Sequence, residues 1–497
     1  MRLYILVKHC VIRGSDVHNR NLFLVCLFIL FAIFIPCSYA FTHSLSPFPH
    51  LTNREERKLG KKFFEYIKRH VTIIDDPRIV NYVNRVGQKI VSQLPVQPFE
   101  YRFYVIKKHT YNAFATPAGY IFINSGLIAD MDSEEELAGI LAHEIAHVAC
   151  RHISKRIEKN KKIGLATMAG LLAGIFLGGS AATSAAVATS SIAAGKSLAL
   201  KYSREDEIQA DQIGLKYLTR AGYSGKGMLT VLKKIRSNRW FGPEQTPTYL
   251  TTHPAIEDRL TYIDTWLQVH PEKTKSSISF DPDDFQKVKT RIIALYGDVD
   301  SALRTFCAAI KKDPRDGLAY YGLGLTLFKN NQKEEALRNF QTAVRYRATD
   351  PDILRELGKT YFYMGRYSEA LRTLHAAIAF NPNDCEVLFL LGRAQLEVKN
   401  LKNARESFQT LLKKHPDYVM AIYYLGETFS RLGNQGEAHY YLGLYFKKKG
   451  RYRNALFHLN RAMKHLGTDP KKKEMITKAL KDLYDDQKRG RSGKSAL

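Results

Sequence analysis

Two histidines four residues apart, His143 and His147, enclose a glutamate, Glu144. On a helix this spacing sets both imidazoles on one face, one turn apart. Two nitrogens so placed suit one Zn2+ at about 2.0–2.1 Å, with Glu144 beside them to take a proton from a metal-polarised water. The chemistry of such a group is amide hydrolysis. The spacing also occurs on surface helices, so a third ligand decides the matter: catalytic zinc takes three protein ligands and keeps one position open. His152 stands five residues past His147. The extended pattern with Gly three and His six residues further on is absent, because Cys150 and Ile153 hold those positions. His152 therefore reads as a supporting residue. Downstream, Glu207 and Asp211 are again four apart. One carboxylate could bind zinc and the other accept the N–H of a ligating histidine. The alternative is an acidic helix face pairing with Lys or Arg.

Several elements must position these groups. Apolar residues at helical spacing from Leu59 to Ile90 predict two helices, broken near Asp75-Asp76-Pro77. Tyr101 to Lys107 alternates as a strand, Asn112 to Gly119 is turn-like, and Tyr120 to Asn124 is a second short strand. Ser133 with Glu136 three residues on predicts a capping box, starting a helix that runs through the histidines to about Arg156. Ile163 to Gly178 is nearly all apolar, and Ala, Ser and Thr dominate from there to residue 200. We expect 163–200 to be a cover over the site or an interfacial segment.

From about residue 283 the chain repeats. Gly324, Gly358, Gly392 and Gly426 fall at intervals of 34, as do Ala336, Ala370, Ala404 and Ala438. Phe306, Phe340 and Phe408 keep the frame, as do Pro314, Pro382 and Pro416. The small residues let the helices of a pair approach, Phe packs the seam, and Pro ends the second helix. This is the pattern of the tetratricopeptide repeat (TPR). The phase slips at Leu442-Gly443 and Ala455, where half a repeat is skipped or shared.

Composition bounds the rest. The 497 residues suggest two or three domains. The net charge of +27 favours anionic partners or membranes, and no nucleic-acid-binding signature accompanies it. A basic start, an apolar run from Leu22 to Ile35 and the small residues Ser38 and Ala40 predict a cleaved leader over 1–40. The apolar run reaches roughly 21 Å, short of a hydrocarbon core of about 30 Å. Cys150, Cys307 and Cys385 remain after the leader, and three buried thiols are expected rather than a disulfide framework. The segment 41–275 is read as the zinc-binding domain, 281–470 as repeats and 471–497 as a basic tail, disordered over its last ten residues.

Ser203 to Asp211, Asn112 to Tyr120 and Thr252-His253-Pro254 with Arg259-Leu260 are similar to three motifs of the HtpX and CAAX-prenyl-protease group of gluzincin peptidases, most closely its BepA type with a C-terminal TPR domain. The resemblance covers nearly all of the mature chain. Ala118 departs from it, standing where a Gly is common. The resemblance implies an α+β, mainly helical protease domain with a small sheet, followed by an all-α solenoid. It implies one Zn2+ per chain on His143, His147 and Glu207, with Glu144 as general base and Asp211 supporting a ligand. It brings His253 near the metal, either stabilising the oxyanion or occupying the open zinc position. The substrate is expected to lie along the Tyr120–Asn124 strand. The expected function is a periplasmic endopeptidase of envelope-protein quality control. Its clients are unfolded or misassembled proteins, its TPR groove docks a protein partner, and it touches membranes peripherally. The alternatives are a TPR adaptor with a mostly latent protease, or a membrane-anchored protease.

Overall fold

The computed structural model describes residues 51–159, 202–237 and 248–492. The predicted leader and the whole of the 163–200 cover lie outside them. No helix among the described residues is long and apolar enough to cross a membrane.

The first two helices are α1 (Asn53–His70) and α2 (Pro77–Val91), parted as expected at Asp75-Asp76-Pro77. The Asp76 carboxylate caps α2 by accepting from the N–H groups of Arg78 and Ile79. A small sheet follows: β1 (Arg102–Ile106), β2 (Ala113–Ala115) and β3 (Tyr120–Asn124), in the order β1-β3-β2. β3 pairs parallel with β1 and antiparallel with β2. Two expectations change here. The turn-like stretch contains β2, a strand too short to alternate visibly. The Tyr120–Asn124 strand is central, so its backbone is already paired on both sides and cannot receive a substrate. The edge strands are β1 and β2, and on β2 only side chains, His253 on Ala113 O and Tyr202 on Ala115 O, meet the outward carbonyls. Thr116 N–H donates to Tyr120 O and Asn124 N–H to Asn112 O. Even-numbered positions of the segment therefore face β3, and the backbone groups of Ala113 and Ala115 face outward.

α3 (Ser125–Asp130) leads to α4 (Glu134–Ala149), which carries the histidines. Ser133 caps it through Glu136 N–H, but the reciprocal arm is redirected: Glu136 accepts from Asp132 N–H and Lys234 instead. The helix was expected to reach Arg156. It stops at Ala149, Arg151 takes φ +56°, and α5 (His152–Lys159) restarts it. The cause is tertiary: Arg151 reaches back to Leu51 O and Glu56. α6 (Arg204–Arg220), α7 (Lys226–Ser237), α8 (Thr248–Thr252) and α9 (Ile256–Val269) complete this body. Gly139 admits α7 closely, since a Cβ there would sit 2.6 Å from the Met228 backbone. At the start of α4, buried Glu134 accepts from the hydroxyls of Tyr82, 2.6 Å, and Tyr223, 2.7 Å.

Helix α10 (Pro282–Tyr296) joins two bodies: Phe285, Val288 and Ile292 enter the core of the first, while Arg291 turns to the repeats. The solenoid continues as α11 (Val299–Lys312), α12 (Gly317–Lys329), α13 (Lys333–Tyr346), α14 (Pro351–Tyr363), α15 (Tyr367–Phe380), α16 (Cys385–Glu397), α17 (Leu401–Lys414), α18 (Val419–Arg431), α19 (Gln435–Lys448) and α20 (Tyr452–Leu466). The phase slip is a shared helix. α19 buries Ala438 in the core it shares with α18, and Gly443 lies against Leu459 of α20. The basic tail is a helix, α21 (Pro470–Ser492), as far as it is described, because Ile476, Ala479 and Leu483 bury against α20; residues 493–497 lie outside the described ones. The three cysteines among the described residues are free thiols, but none is fully buried as expected: Cys150 and Cys385 are half-buried and Cys307 is exposed.

Candidate active site

His143, Glu144 and His147 are fully buried, as are Glu207 and Asp211 of α6 and His253 just beyond α8. The fold brings together all six residues singled out in the sequence. One ligand atom from each of His143, His147, Glu207 and His253 lies within 4.8 Å of the others. The two Nε2 atoms of His143 and His147 are 2.9 Å apart, and each lies 3.4 Å from a Glu207 oxygen. Nδ1 of His253 is 3.1 Å from Glu207 and 3.4 Å from His143 Nε2. A tetrahedron with bonds of 2.0–2.1 Å has edges of about 3.3–3.4 Å, so the spacing fits zinc.

The hydrogen bonds fix which nitrogens are bare. His143 Nδ1–H donates to Asp211 at 2.8 Å, leaving Nε2 toward the centre. Arg259 Nη2 also lies 3.1 Å from His143 Nδ1, but the shorter carboxylate contact sets the tautomer. His152 Nε2–H donates to Gln209, so its Nδ1 accepts from His147 Nδ1–H at 2.9 Å and frees His147 Nε2. His253 Nε2–H donates to Ala113 O at 3.3 Å and turns Nδ1 inward. Three lone pairs and a carboxylate converge, a donor set made for a cation. Against burial and the Arg259 charge, Asp211 and Glu207 raise His143 to about 9, so without a cation its Nε2 carries a proton that metal binding would displace. Against burial, His253 and Arg259 hold Glu207 well below the usual carboxylate range. Both Glu144 oxygens are buried without a hydrogen-bond partner, and burial pushes that carboxyl up. The residues fit a divalent metal beside Glu144.

Sequence reasoning gave Arg259 no role. It is fully buried, bonds Asp211 through Nε and Nη2, both at 2.8 Å, and lies 2.9 Å from Glu207. It fixes both carboxylates and neutralises part of their charge. The signal for it was its place five residues after Pro254. Tyr249 stacks on His253 at 4.3 Å and Tyr202 on His147 at 3.7 Å, contacts without any local pattern to announce them.

Residues 77–267 match peptidase family M48. Residues 297–352, 355–419 and 389–442 match the tetratricopeptide repeat. The chain thus joins a segment that matches peptidase family M48 to a TPR solenoid. It is 29% identical over 244 residues to the beta-barrel assembly-enhancing protease of Escherichia coli K12, covering 49% of each chain. It is 28% identical over 286 residues to the same-named protein of Yersinia pestis, 56% of this chain and 58% of that one. It is 27% identical over 197 residues to the mitochondrial metalloendopeptidase OMA1 of Schizosaccharomyces pombe, 39% of this chain and 55% of that one. The chain spans about half the length of the curated relatives it matches.

Proposed function

We propose that this protein is an exported zinc endopeptidase of the periplasm. It removes misassembled envelope or outer-membrane proteins, and its repeats dock clients or an assembly machine. The names of the relatives support the outer-membrane setting. The observation that carries the chemistry is the convergence of His143, His147, Glu207 and His253 beside a Glu144 without a hydrogen-bond partner.

His143, His147 and Glu207 hold the metal. Zinc bound there supplies Lewis acidity to the scissile carbonyl and acidifies a water. Glu144 accepts that water's proton and passes it to the leaving amine. Asp211 and His152 keep the two α4 histidines in the tautomers that leave Nε2 bare. Arg259 holds Glu207 and Asp211 in place.

His253 occupies the position a substrate needs, which supports a resting state that it closes. It also occupies Ala113 O on the outward edge of β2. When His253 moves aside, that edge can pair with an extended substrate backbone. From the rim of the site, the same imidazole can then hydrogen-bond the developing oxyanion. His253→Ala separates the two roles: activity rises if closure dominates and falls if the oxyanion contact does. Glu144→Gln tests the enzyme itself. Cleavage of an unfolded protein is lost in the purified variant while zinc content stays at that of the wild type; undiminished cleavage would sink the reading.

A further inference from the structure

Among the described residues, four arginines have an Nε shut off from solvent and without a hydrogen-bond partner: Arg78, Arg347, Arg393 and Arg405. Three of them have a carboxylate within ion-pair distance of a guanidinium nitrogen: Arg78 with Asp284 and Asp352, Arg347 with Asp283 and Asp350, and Arg405 with Glu406. Among the described residues, Arg393 has none. It lies on α16, the first helix of its repeat. Its guanidinium carbon sits 5.2 Å from the Phe362 ring centre of α14 and 4.2 Å from that of Tyr424 on α18. α16 touches both neighbours, so this cation stands on the row of first helices that forms the inner face of a TPR solenoid. Glu427, on the same α18, is paired with Arg431 at 2.5 Å. Phe389 and Tyr423 carry the aromatic surface onward, and Tyr363 and Met420 are exposed, 53% and 39%.

A guanidinium clamped between two rings has already lost most of its rotamer freedom, so a ligand gains its charge without that ordering cost. Its planar fork prefers a carboxylate. The neighbouring rings favour apolar or aromatic flanks.

We infer that Arg393 is the anchor of a peptide-docking site on the solenoid's inner face, which takes an Asp or Glu side chain of an extended protein segment flanked by apolar residues. The inference deepens the docking role proposed above and names its chemistry. Its test does not depend on catalysis. Full-length Glu144→Gln protein is titrated against fluorescein-labelled Phe-Leu-Glu-Leu-Phe-amide and its Gln twin, read by anisotropy. The Glu peptide is expected to bind about tenfold to a hundredfold more tightly, the range a charge-assisted pair provides, and more weakly as salt rises. Arg393→Gln, added to that protein, erases the difference, and Arg393→Lys keeps only part of it. Melting curves check that both variants are folded, and if Arg393→Gln is not, the Lys variant carries the test. Equal binding of the two peptides, no binding of either, or a difference that survives Arg393→Gln overturns the site. So does Arg393-dependent binding of phosphatidylglycerol vesicles without binding of the Glu peptide, which would make the ligand a lipid surface. With Glu144 intact, Arg393→Gln cleaves a short unstructured peptide within about twofold of the wild type. A failed protease assay leaves the binding comparison standing.

Discussion

Among the described residues, the buried charges at the junction of the two bodies and those around His143 are built on opposite logic. At the junction of the two bodies, Arg291 of α10 bonds Asp76 at 2.5 Å, Glu356 at 2.8 Å and the Tyr321 hydroxyl at 2.7 Å. Arg78 joins Asp284 and Asp352, and Arg355 joins Asp352, Glu356 and Asp384. Positive faces negative throughout, so this cluster is closed and clips the metal-site body to the solenoid. Around His143 the acceptors face one another. Bare nitrogens point at bare nitrogens, and Glu144 has no hydrogen-bond partner, only His253 Nε2 at 3.6 Å. A folded chain keeps such an arrangement only where something else completes it. Matched charge reads as structure, and unmatched charge reads as a site.

The contrast can be broken in graded ways. Glu144→Gln should lower cleavage by about 10²- to 10⁴-fold, the usual worth of a general base, with melting temperature unchanged or raised. Steady-state rates and a thermal melt on one preparation check both halves. A comparable loss in stability would place Glu144 among the matched charges. At the junction the expectation is reversed. Arg291→Met strands Asp76 and Glu356 and should cost about 3–5 kcal/mol in urea unfolding, with zinc content unaltered. Asp211→Asn lies between. By loosening the His143 tautomer it should weaken metal affinity by about 10- to 100-fold in a competition titration with a chelator.

Acid sharpens the comparison further. Against their burial, Lys359, Arg291 and Arg355 hold Glu356 below the usual carboxylate range, and Arg355, Arg78 and Arg291 do the same for Asp352. A depressed folded pKa stabilises fully above the unfolded value of about 4 and loses that contribution as pH falls toward the folded one. Stability should therefore drop between about pH 5 and pH 2. Arg291→Met should flatten that slope in urea melts taken across the range, and an unchanged slope would remove the junction from the acid response. The smallest effect concerns Ala118, held at φ +65° where glycine is favoured. Ala118→Gly should shift stability by no more than about 1 kcal/mol, toward the more stable side, with activity kept.

The sequence made local features legible and left long-range ones hidden. The histidine helix and the Glu207–Asp211 pair show because a helix repeats within four residues, and the solenoid shows because each repeat packs on its neighbour. The strand Ala113–Ala115 has three residues and only its pairing to β3 defines it. The break after Ala149 contains neither Gly nor Pro, because the carbonyl and carboxylate that Arg151 finds are about a hundred residues earlier. The junction pair Asp76–Arg291 is 215 positions apart, and nothing near either residue announces it. α19 showed as a slip in phase, and only its two neighbours reveal one helix serving two repeats. Within the site, the histidines and acids could be named from types and spacing, whereas the outward edge of β2 and the contacts of Arg259 exist only once the chain is folded.

The central claim is that the unmatched cluster is a zinc centre held by His143, His147 and Glu207. Metal analysis of purified full-length protein tests it most directly, comparing wild type, Glu144→Gln, His143→Ala and Glu207→Ala. The account predicts about one zinc per chain in the first two and its loss in the last two. Full zinc occupancy in both His143→Ala and Glu207→Ala would contradict it.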